Sequence, residues 1–441
     1  MCSNYRGISL LAMASKVVMS VIRNRVADHR EAKTREQQAG FRRERGCTDQ
    51  IFALCQFTEQ RVRHGQPFLA IFIDFAAAFD SVHRGSLWQA LLHDGFPVKL
   101  IRLLQEYYED ANCRVRVYGE TGDPFQVTTG VRQGCILSPC LFNIVIDWVM
   151  AQALQAAPSL SGFEGFEVID LEYADDIAAL AGNEANGQMI LDKIDQAASK
   201  LGLNISGPKT KIVSFGIAPV NIILHGSPLD VVDSFTYLGA KITSQHDSST
   251  DINARIGKAS GVFARLRKPL WSQGRISLRT KMRVFNVCVM STALYSCETW
   301  TILSNDMKQL EVFQMRCLRS ILGVSLLDRI TNVQIRARCC GQPTVEAQIK
   351  KSRLRWFGHV CRMSPQRLPH RALFATKPLN WKIPRRAPRK KWVDHITSDL
   401  RPLHFNSLEA CVEAAMNRNQ WRGIIRDVLP LAPKYALPYL R

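Results

Sequence analysis

Val168-Ile169-Asp170-Leu171-Glu172-Tyr173-Ala174-Asp175-Asp176-Ile177-Ala178-Ala179-Leu180 sets two apolar arms around an acidic turn. The pattern predicts a β-hairpin, although its turn holds none of the glycine-bearing dipeptides that usually mark one. A second run, Phe68-Leu69-Ala70-Ile71-Phe72-Ile73, is apolar enough for a strand buried on both faces, and it ends at Asp74. Three carboxylates, on Asp74, Asp175 and Asp176, are thus expected at strand ends. Adjacent carboxylates repel and are costly to desolvate unless a cation joins them. Neighbouring strand residues point to opposite faces, so a turning backbone is needed before Asp175 and Asp176 serve one site. A third carboxylate from another strand end completes an oxygen-rich pocket suited to Mg2+.

Outward from these runs the pattern alternates. Residues 8–27 and 49–62 have helical spacing, and 88–108 is helical but broken by Gly95 and Pro97. Strands are expected at 114–118 and 125–128, joined by a turn at 119–124. A buried helix is expected at 139–155, with Ser138 as N-cap and Pro139 at its first position. Another helix spans 187–203, then short strands follow at 211–215, 222–224 and 237–242. Beyond residue 250 the chain reads as mostly helical to about 340. The whole is an α+β body with a helical appendage.

The 441 residues carry a formal net charge of +20, unevenly spread. Residues 335–441 hold 22 Lys and Arg against 6 Asp and Glu, a net +16 that leaves +4 for the first 334 residues. A nearly balanced body with a basic final quarter suits a polyanionic partner, nucleic acid before a membrane surface. No apolar run is long enough to span a bilayer, and no signal peptide is read at Met1. Thirteen scattered cysteines fit free thiols in a reducing compartment. Cys339, Cys340, His359 and Cys361 match no compact zinc knuckle, so no zinc is expected.

Six segments, in order, resemble reverse transcriptases of non-long-terminal-repeat (LINE-like) retrotransposons. Asn4-Tyr5-Arg6-Gly7-Ile8-Ser9-Leu10-Leu11 and Gln38-Ala39-Gly40-Phe41-Arg42 are similar to finger motifs. Ile73-Asp74-Phe75, continued to Ala78-Phe79-Asp80-Ser81-Val82, resembles the first acidic motif of the palm. Gly130-Val131-Arg132-Gln133-Gly134-Cys135-Ile136-Leu137-Ser138-Pro139 resembles the motif between the carboxylates, and Tyr173-Ala174-Asp175-Asp176 the acidic box. Phe235-Thr236-Tyr237-Leu238-Gly239 looks like a primer grip. The resemblance implies an α+β right-hand polymerase, with palm and N-terminally partial fingers in 1–242, a helical thumb or connection in 243–334, and a basic nucleic-acid-binding region in 335–441. It further implies a chain lacking the endonuclease domain usually found upstream.

The implied activity is RNA-directed DNA synthesis on a primer 3′-hydroxyl. Two Mg2+ ions, or Mn2+, would sit on Asp74, Asp175 and Asp176. Lys209 would act on the departing pyrophosphate, with Lys211 as its rival. Phe79 would exclude a 2′-hydroxyl, while Arg132, Gln133 and Gly134 would line the nucleotide. Asp80 is read as structural. Arg6, Arg42, Tyr237, Leu238, Gly239, Arg385, Arg386, Arg389, Lys390 and Lys391 are expected at nucleic acid. The partners are an RNA template, a DNA primer or target and deoxynucleotide triphosphates, without a membrane, in an intracellular setting (the nucleus or a ribonucleoprotein in a eukaryote). Two alternatives stay open, an inactive nucleic-acid-binding remnant and an RNA-directed RNA polymerase.

Overall fold

The computed structural model of the chain describes residues 7–109, 112–155, 157, 160, 167–376, 378–379, 381–384, 390–405 and 407–428. The chain divides into two compact units. One comprises residues 1–50, 64–238 and 375–382, the other 51–63, 239–374 and 383–441.

The first unit is built on a five-stranded sheet. Its strands are β1 (Phe68–Ile73), β2 (Asp170–Tyr173), β3 (Asp176–Ala181), β4 (Lys211–Phe215) and β5 (Asp230–Val231), in spatial order β5-β4-β1-β3-β2. All six residues of β1 are buried, as its unbroken apolar run predicts for a strand covered on both faces. It pairs antiparallel with β3, Ile73 opposite Ile177, and with β4, Phe72 opposite Lys211.

The pleat sorts the side chains of β1 between two layers. Leu69, Ile71 and Ile73 enter a core with Ile144 and Val145 of the helix Ser138–Leu154 and Ile190, Leu191 and Ile194 of the helix Glu184–Ser199. On the opposite face Phe68 stacks on Phe215, ring centroids 4.2 Å apart, and Phe72 stacks on Phe235 at 4.5 Å. The helix Ser138–Leu154 is apolar nearly all round because it lies inside this core.

Three local expectations are revised. The segment 112–126 holds two short pairings, Asn112–Cys113 with Phe125–Gln126 and Arg116–Val117 with Glu120–Thr121. The tight turn falls at Tyr118 and Gly119, both at positive φ (51° and 92°), the backbone a two-residue hairpin requires. Similarly, the strand expected at 237–242 is interrupted. Strands Ser234–Tyr237 and Ala240–Thr243 flank Leu238 and Gly239, at φ 47° and 87°. Leu137, not Ser138, is the N-cap of the central helix, and the Ser138 hydroxyl lies 3.4 Å from that of Tyr108.

Among its described residues the second unit is helical apart from Ala240–Thr243, and they include two hydrophobic clusters. One runs from Ile252 to Ile349 and includes Cys339. The other joins Phe52 to residues from Leu354 to Ile425 and includes Cys361. The segment Arg353-Leu354-Arg355-Trp356-Phe357-Gly358 lies on the helix Val345–Cys361, part of it in this second cluster. A Cβ on Gly358 would stand 2.1 Å from Trp421 Nε1, and that indole donates to Leu354 O at 2.8 Å. Arg353 donates twice to Asp399 Oδ2, at 3.0 and 2.6 Å. No helix among the described residues is long and apolar enough to cross a membrane.

One buried acid in this unit makes stability depend on pH. Glu59, on the helix Cys47–Arg63, accepts from Trp392 N at 2.9 Å and from Thr301 Oγ1 at 3.1 Å. Burial outweighs those bonds and pushes its carboxyl up to about 7. Because the folded value exceeds the unfolded one, the stability it contributes is full below about pH 4.5 and is lost as pH rises through about 7. Urea unfolding should therefore show Glu59→Gln losing less stability than the parent between pH 5 and pH 8. The expected difference is about 2–3 kcal/mol, from 1.36 kcal/mol per pKa unit. Parallel losses in the two proteins would remove Glu59 as the cause.

Candidate active site

The register of the sheet sets Asp74, Asp175 and Asp176 at the same end of the sheet. Ile73 faces Ile177, so one further step sets Asp74 across from Asp176. Directly opposed residues on an antiparallel pair hold their Cβ atoms about 5 Å apart. Tyr173 pairs with Asp176, which leaves Ala174 and Asp175 as a two-residue turn between β2 and β3. Ala174 takes φ 57°, a left-handed backbone costing a non-glycine residue about 1–3 kcal/mol. This is the turning backbone that the adjacent carboxylates require. Asp74 and Asp175 are half-buried and Asp176 is exposed.

Beyond β1 the chain stays tethered. Ser206 N donates to Asp74 O at 2.8 Å, Ala76 N to Asn204 O at 2.9 Å, and Asp74 N to Thr210 Oγ1 at 3.3 Å. The same loop carries Lys209, whose Nζ stands 3.2 Å from Asp74 Oδ1. Its rival Lys211 instead pairs with Asp230. Of the sequence-derived residues, Lys209 and Asp74 are thus in contact, and Asp175 and Asp176 lie at and just after the turn between β2 and β3, at the same end of the sheet.

The donor set is all oxygen, as a hard divalent cation prefers, and it fits Mg2+ in chemistry. Among the described residues no three His, Cys, Asp or Glu side chains are drawn together as a ready-made metal cage.

The acidic hairpin is gripped by the segment just before the helix Cys47–Arg63. Ala39 N donates to Glu172 O at 2.9 Å and Glu172 N to Gln37 O at 3.0 Å, so residues 37–39 run along β2. Gln38 is fully buried. Its Oε1 accepts from Ala174 N at 2.7 Å and Gly40 N at 2.8 Å, and its Nε2 donates to Ala174 O at 3.2 Å and Glu172 Oε2 at 3.0 Å. Arg35 donates to both Asp170 oxygens, at 2.9 and 2.7 Å, and to Glu172 Oε1 at 2.9 Å. Burial drives the Glu172 carboxyl well above the usual range, against the pull of Arg35. Burial would lower the Arg35 guanidinium, but Asp170 and Glu172 overcome it and raise it.

The remaining candidates divide between two places and one inward placement. Phe79 stacks on buried Phe142 at 4.2 Å and meets Phe41 edge-on at 6.5 Å. Val131 N donates to Phe79 O at 2.8 Å, and Gln133 Nε2 donates to the Asp80 carboxylate at 3.1–3.2 Å. Gly134, at φ 107°, lets Ser9 O approach a site where a Cβ would stand 2.5 Å away. Arg132 turns to Tyr107, lying 4.4 Å over its ring and donating to its carbonyl at 3.0 Å. Arg42 is 7% exposed, bonded to the Arg35 and Gln38 carbonyls and paired with Glu31.

Tyr237 lies on the aromatic face of the sheet, 5.5 Å from Phe72, and donates to Leu171 O at 3.0 Å. Burial raises its hydroxyl well above the usual range. In the second unit Arg255 donates to Gly239 O, and Asp251 accepts from Lys241 N and Trp300 Nε1, both at 3.0 Å. Lys390 is exposed and Lys391 half-buried, whereas Arg6, Arg385, Arg386 and Arg389 lie outside the described residues. Sequence reasoning placed Gln38 in a motif without giving it a role. Its only signal was a polar residue two positions before a glycine.

A family model described as reverse transcriptase (RNA-dependent DNA polymerase) matches residues 2–242, more than half of the chain. Over 412 residues the chain is 27% identical to "Probable RNA-directed DNA polymerase from transposon BS" of Drosophila melanogaster, covering 88% of this chain and 42% of that protein. It is 26% identical over 348 residues to the RNA-directed DNA polymerase from mobile element jockey of Drosophila funebris, covering 75% and 37%. Among solved structures, telomerase from Candida tropicalis with a TWJ fragment of telomeric RNA aligns at TM-score 0.38 and 13% identity, over 82% of this chain and 56% of that one. The chain spans about two-fifths of the length of these curated relatives.

The grip on the hairpin leaves no room at Gly40. A Cβ there would lie 2.3 Å from Ala174 N and 2.9 Å from Gln38 Oε1, and backbone cannot yield as a flexible side chain would. Gly40→Ala should lower the unfolding free energy by about 1–3 kcal/mol, the usual cost of overpacking. Denaturant melts in which the variant matches the parent would refute this close packing.

Proposed function

Because the chain belongs to the reverse transcriptase family, with relatives among non-long-terminal-repeat, LINE-like retrotransposons, we propose that it is an RNA-directed DNA polymerase. It adds deoxynucleotides to a primer 3′-hydroxyl at Asp74, Asp175 and Asp176. The observation that supports this reading is the register of β1 with β3, which ends with Ile73 facing Ile177, one residue before Asp74 and one residue after Asp176, with the Ala174–Asp175 turn next to it. Asp74, Asp175 and Asp176 would hold Mg2+, which would supply charge stabilisation for phosphoryl transfer.

The chain's own groups do the rest. Lys209, already beside Asp74, is placed to neutralise or protonate the departing pyrophosphate. Phe79 rests on Phe142, so its ring has firm backing from which to exclude a 2′-hydroxyl. Gln133 and Gly134 approach the nucleotide next to it, with Asp80 orienting the Gln133 amide. Tyr237, Leu238 and Gly239 set the primer end by backbone shape.

The helical region takes the duplex through phosphates. Residues 252–297 hold nine Lys and Arg and no Asp or Glu. Lys258, Arg265, Arg267, Lys268, Arg275, Arg279 and Arg283 are all exposed there. Such contacts bring affinity and salt dependence but little sequence readout. Lys390 and Lys391, with the basic residues 385–389 before them, extend this role.

Primer extension on an RNA template in Mg2+ is the test. The parent should extend with deoxynucleotides, and Asp175→Asn should lose at least a thousandfold in rate while keeping primer–template affinity. Template binding without extension by the parent would instead assign a nucleic-acid-binding role. In the same assay Phe79→Ala should raise ribonucleotide use at least tenfold relative to deoxynucleotide use. An unchanged ratio would remove Phe79 from sugar selection.

A further inference from the structure

We propose that Gln38 is a positioning residue for the metal carboxylates, an inference that rests on the reading of Asp74, Asp175 and Asp176 as metal ligands. It touches neither nucleotide nor metal in this scheme. It acts through the backbone of Ala174, the residue immediately before Asp175.

The amide of Gln38 has two donor hydrogens and one acceptor oxygen, and all are engaged. The oxygen faces two N–H groups, and the nitrogen faces a carbonyl and a carboxylate. Turning the amide over would set donor against donor, so the network fixes its orientation. Three anchors hold Gln38 itself. Its backbone neighbours run along β2, Asn143 Nδ2 donates to Gly40 O, and Glu172 is braced from behind by Arg35.

This arrangement reaches both polar groups of one residue. Ala174 N and Ala174 O are each bonded to the Gln38 side chain, which fixes the peptide planes on both sides of Ala174. The φ of 57° at Ala174 is a conformation that a free Ala-Asp turn seldom holds. The Gln38 amide holds it. The plane between Ala174 and Asp175 then sets where the Asp175 side chain leaves the backbone, against an Asp74 fixed independently by Ser206 and Thr210. Other residue types cannot substitute. A glutamate at 38 would face the Glu172 carboxylate and lose both donors, and an asparagine falls one methylene short.

The experiment uses the full chain and Mn2+ as a spectroscopic probe, with free Mn2+ read by electron paramagnetic resonance. Asp175→Asn serves as the reference. Gln38→Met keeps the side chain's length and removes its hydrogen bonds, and Gln38→Asn keeps the amide but withdraws it. Both Gln38 variants should bind Mn2+ about tenfold more weakly than the parent, with primer–template affinity within twofold. The Mg2+ needed for half-maximal extension should rise in step. Glycine accepts positive φ readily, so Ala174→Gly added to Gln38→Met should recover part of the Mn2+ affinity.

Unchanged Mn2+ affinity in both Gln38 variants, with weakened binding in Asp175→Asn, overturns the positioning role and leaves the carboxylates as ligands. Unchanged affinity in Asp175→Asn overturns the ligand reading itself. If Gln38→Met fails to fold, Gln38→Asn decides. Failure of both to fold makes Gln38 a residue of general stability and overturns the proposal.

Discussion

The pairing of β1 with β3 is the constraint on which the first unit depends. A strand with six consecutive buried residues cannot lie at an edge, since its unpaired backbone groups would be orphaned away from water. It must have a partner on each side, and β3 and β4 supply them. Once Ile73 faces Ile177, the polar residues just past the apolar runs have nowhere to go but the same end of the sheet. A register slip of one residue would exchange the two buried faces of β3 and set its side chains into the wrong packed layers, so the core that stabilises the sheet also sets the carboxylates.

What the core cannot do is hold a two-residue turn at a strained alanine. That task falls to groups outside the sheet. Residues 35–40 bring an arginine, a glutamine and a glycine against β2 and the turn, and each has one use. Arg35 offsets the buried Asp170 and Glu172, Gln38 bonds to Ala174, and Gly40 leaves room for both. Buried ionic groups usually contribute little net stability, and here Arg35, Asp170 and Glu172 meet in one hydrogen-bonded arrangement behind the acidic hairpin.

Much of this was legible in the sequence, for a physical reason. Strong periodic signals, such as Phe68–Ile73 and the arms of the acidic hairpin, become core strands because burial dominates their energetics. Weaker signals failed where a single turn dipeptide decides the path. Tyr118-Gly119 and Leu238-Gly239 each interrupt a segment that apolar content alone reads differently. Side-chain partners were less legible still. Nothing in the sequence shows Arg132 lying on Tyr107 or Gln38 holding Ala174, since each joins segments 25 and 136 positions apart, and Arg42 turns inward to carbonyls of its own loop that no apolar pattern marks. The Trp421 indole against Gly358 is a further case, spanning 63 positions in the helical unit.

The central claim is that two distant segments, one ending β1 and one turning between β2 and β3, share a cation site. Fe2+ substituted for Mg2+ and supplied with hydrogen peroxide and ascorbate would reduce the peroxide to hydroxide and hydroxyl radical wherever it binds, with ascorbate returning Fe3+ to Fe2+, and the radicals would cut the nearby backbone. Cleavage should appear both around residue 74 and around residues 174–176, should be suppressed at both places by the same Mg2+ concentration, and should vanish from both in Asp74→Asn. Cuts confined to one segment, or two sets of cuts that respond separately to Mg2+ and to the substitution, would contradict a shared site.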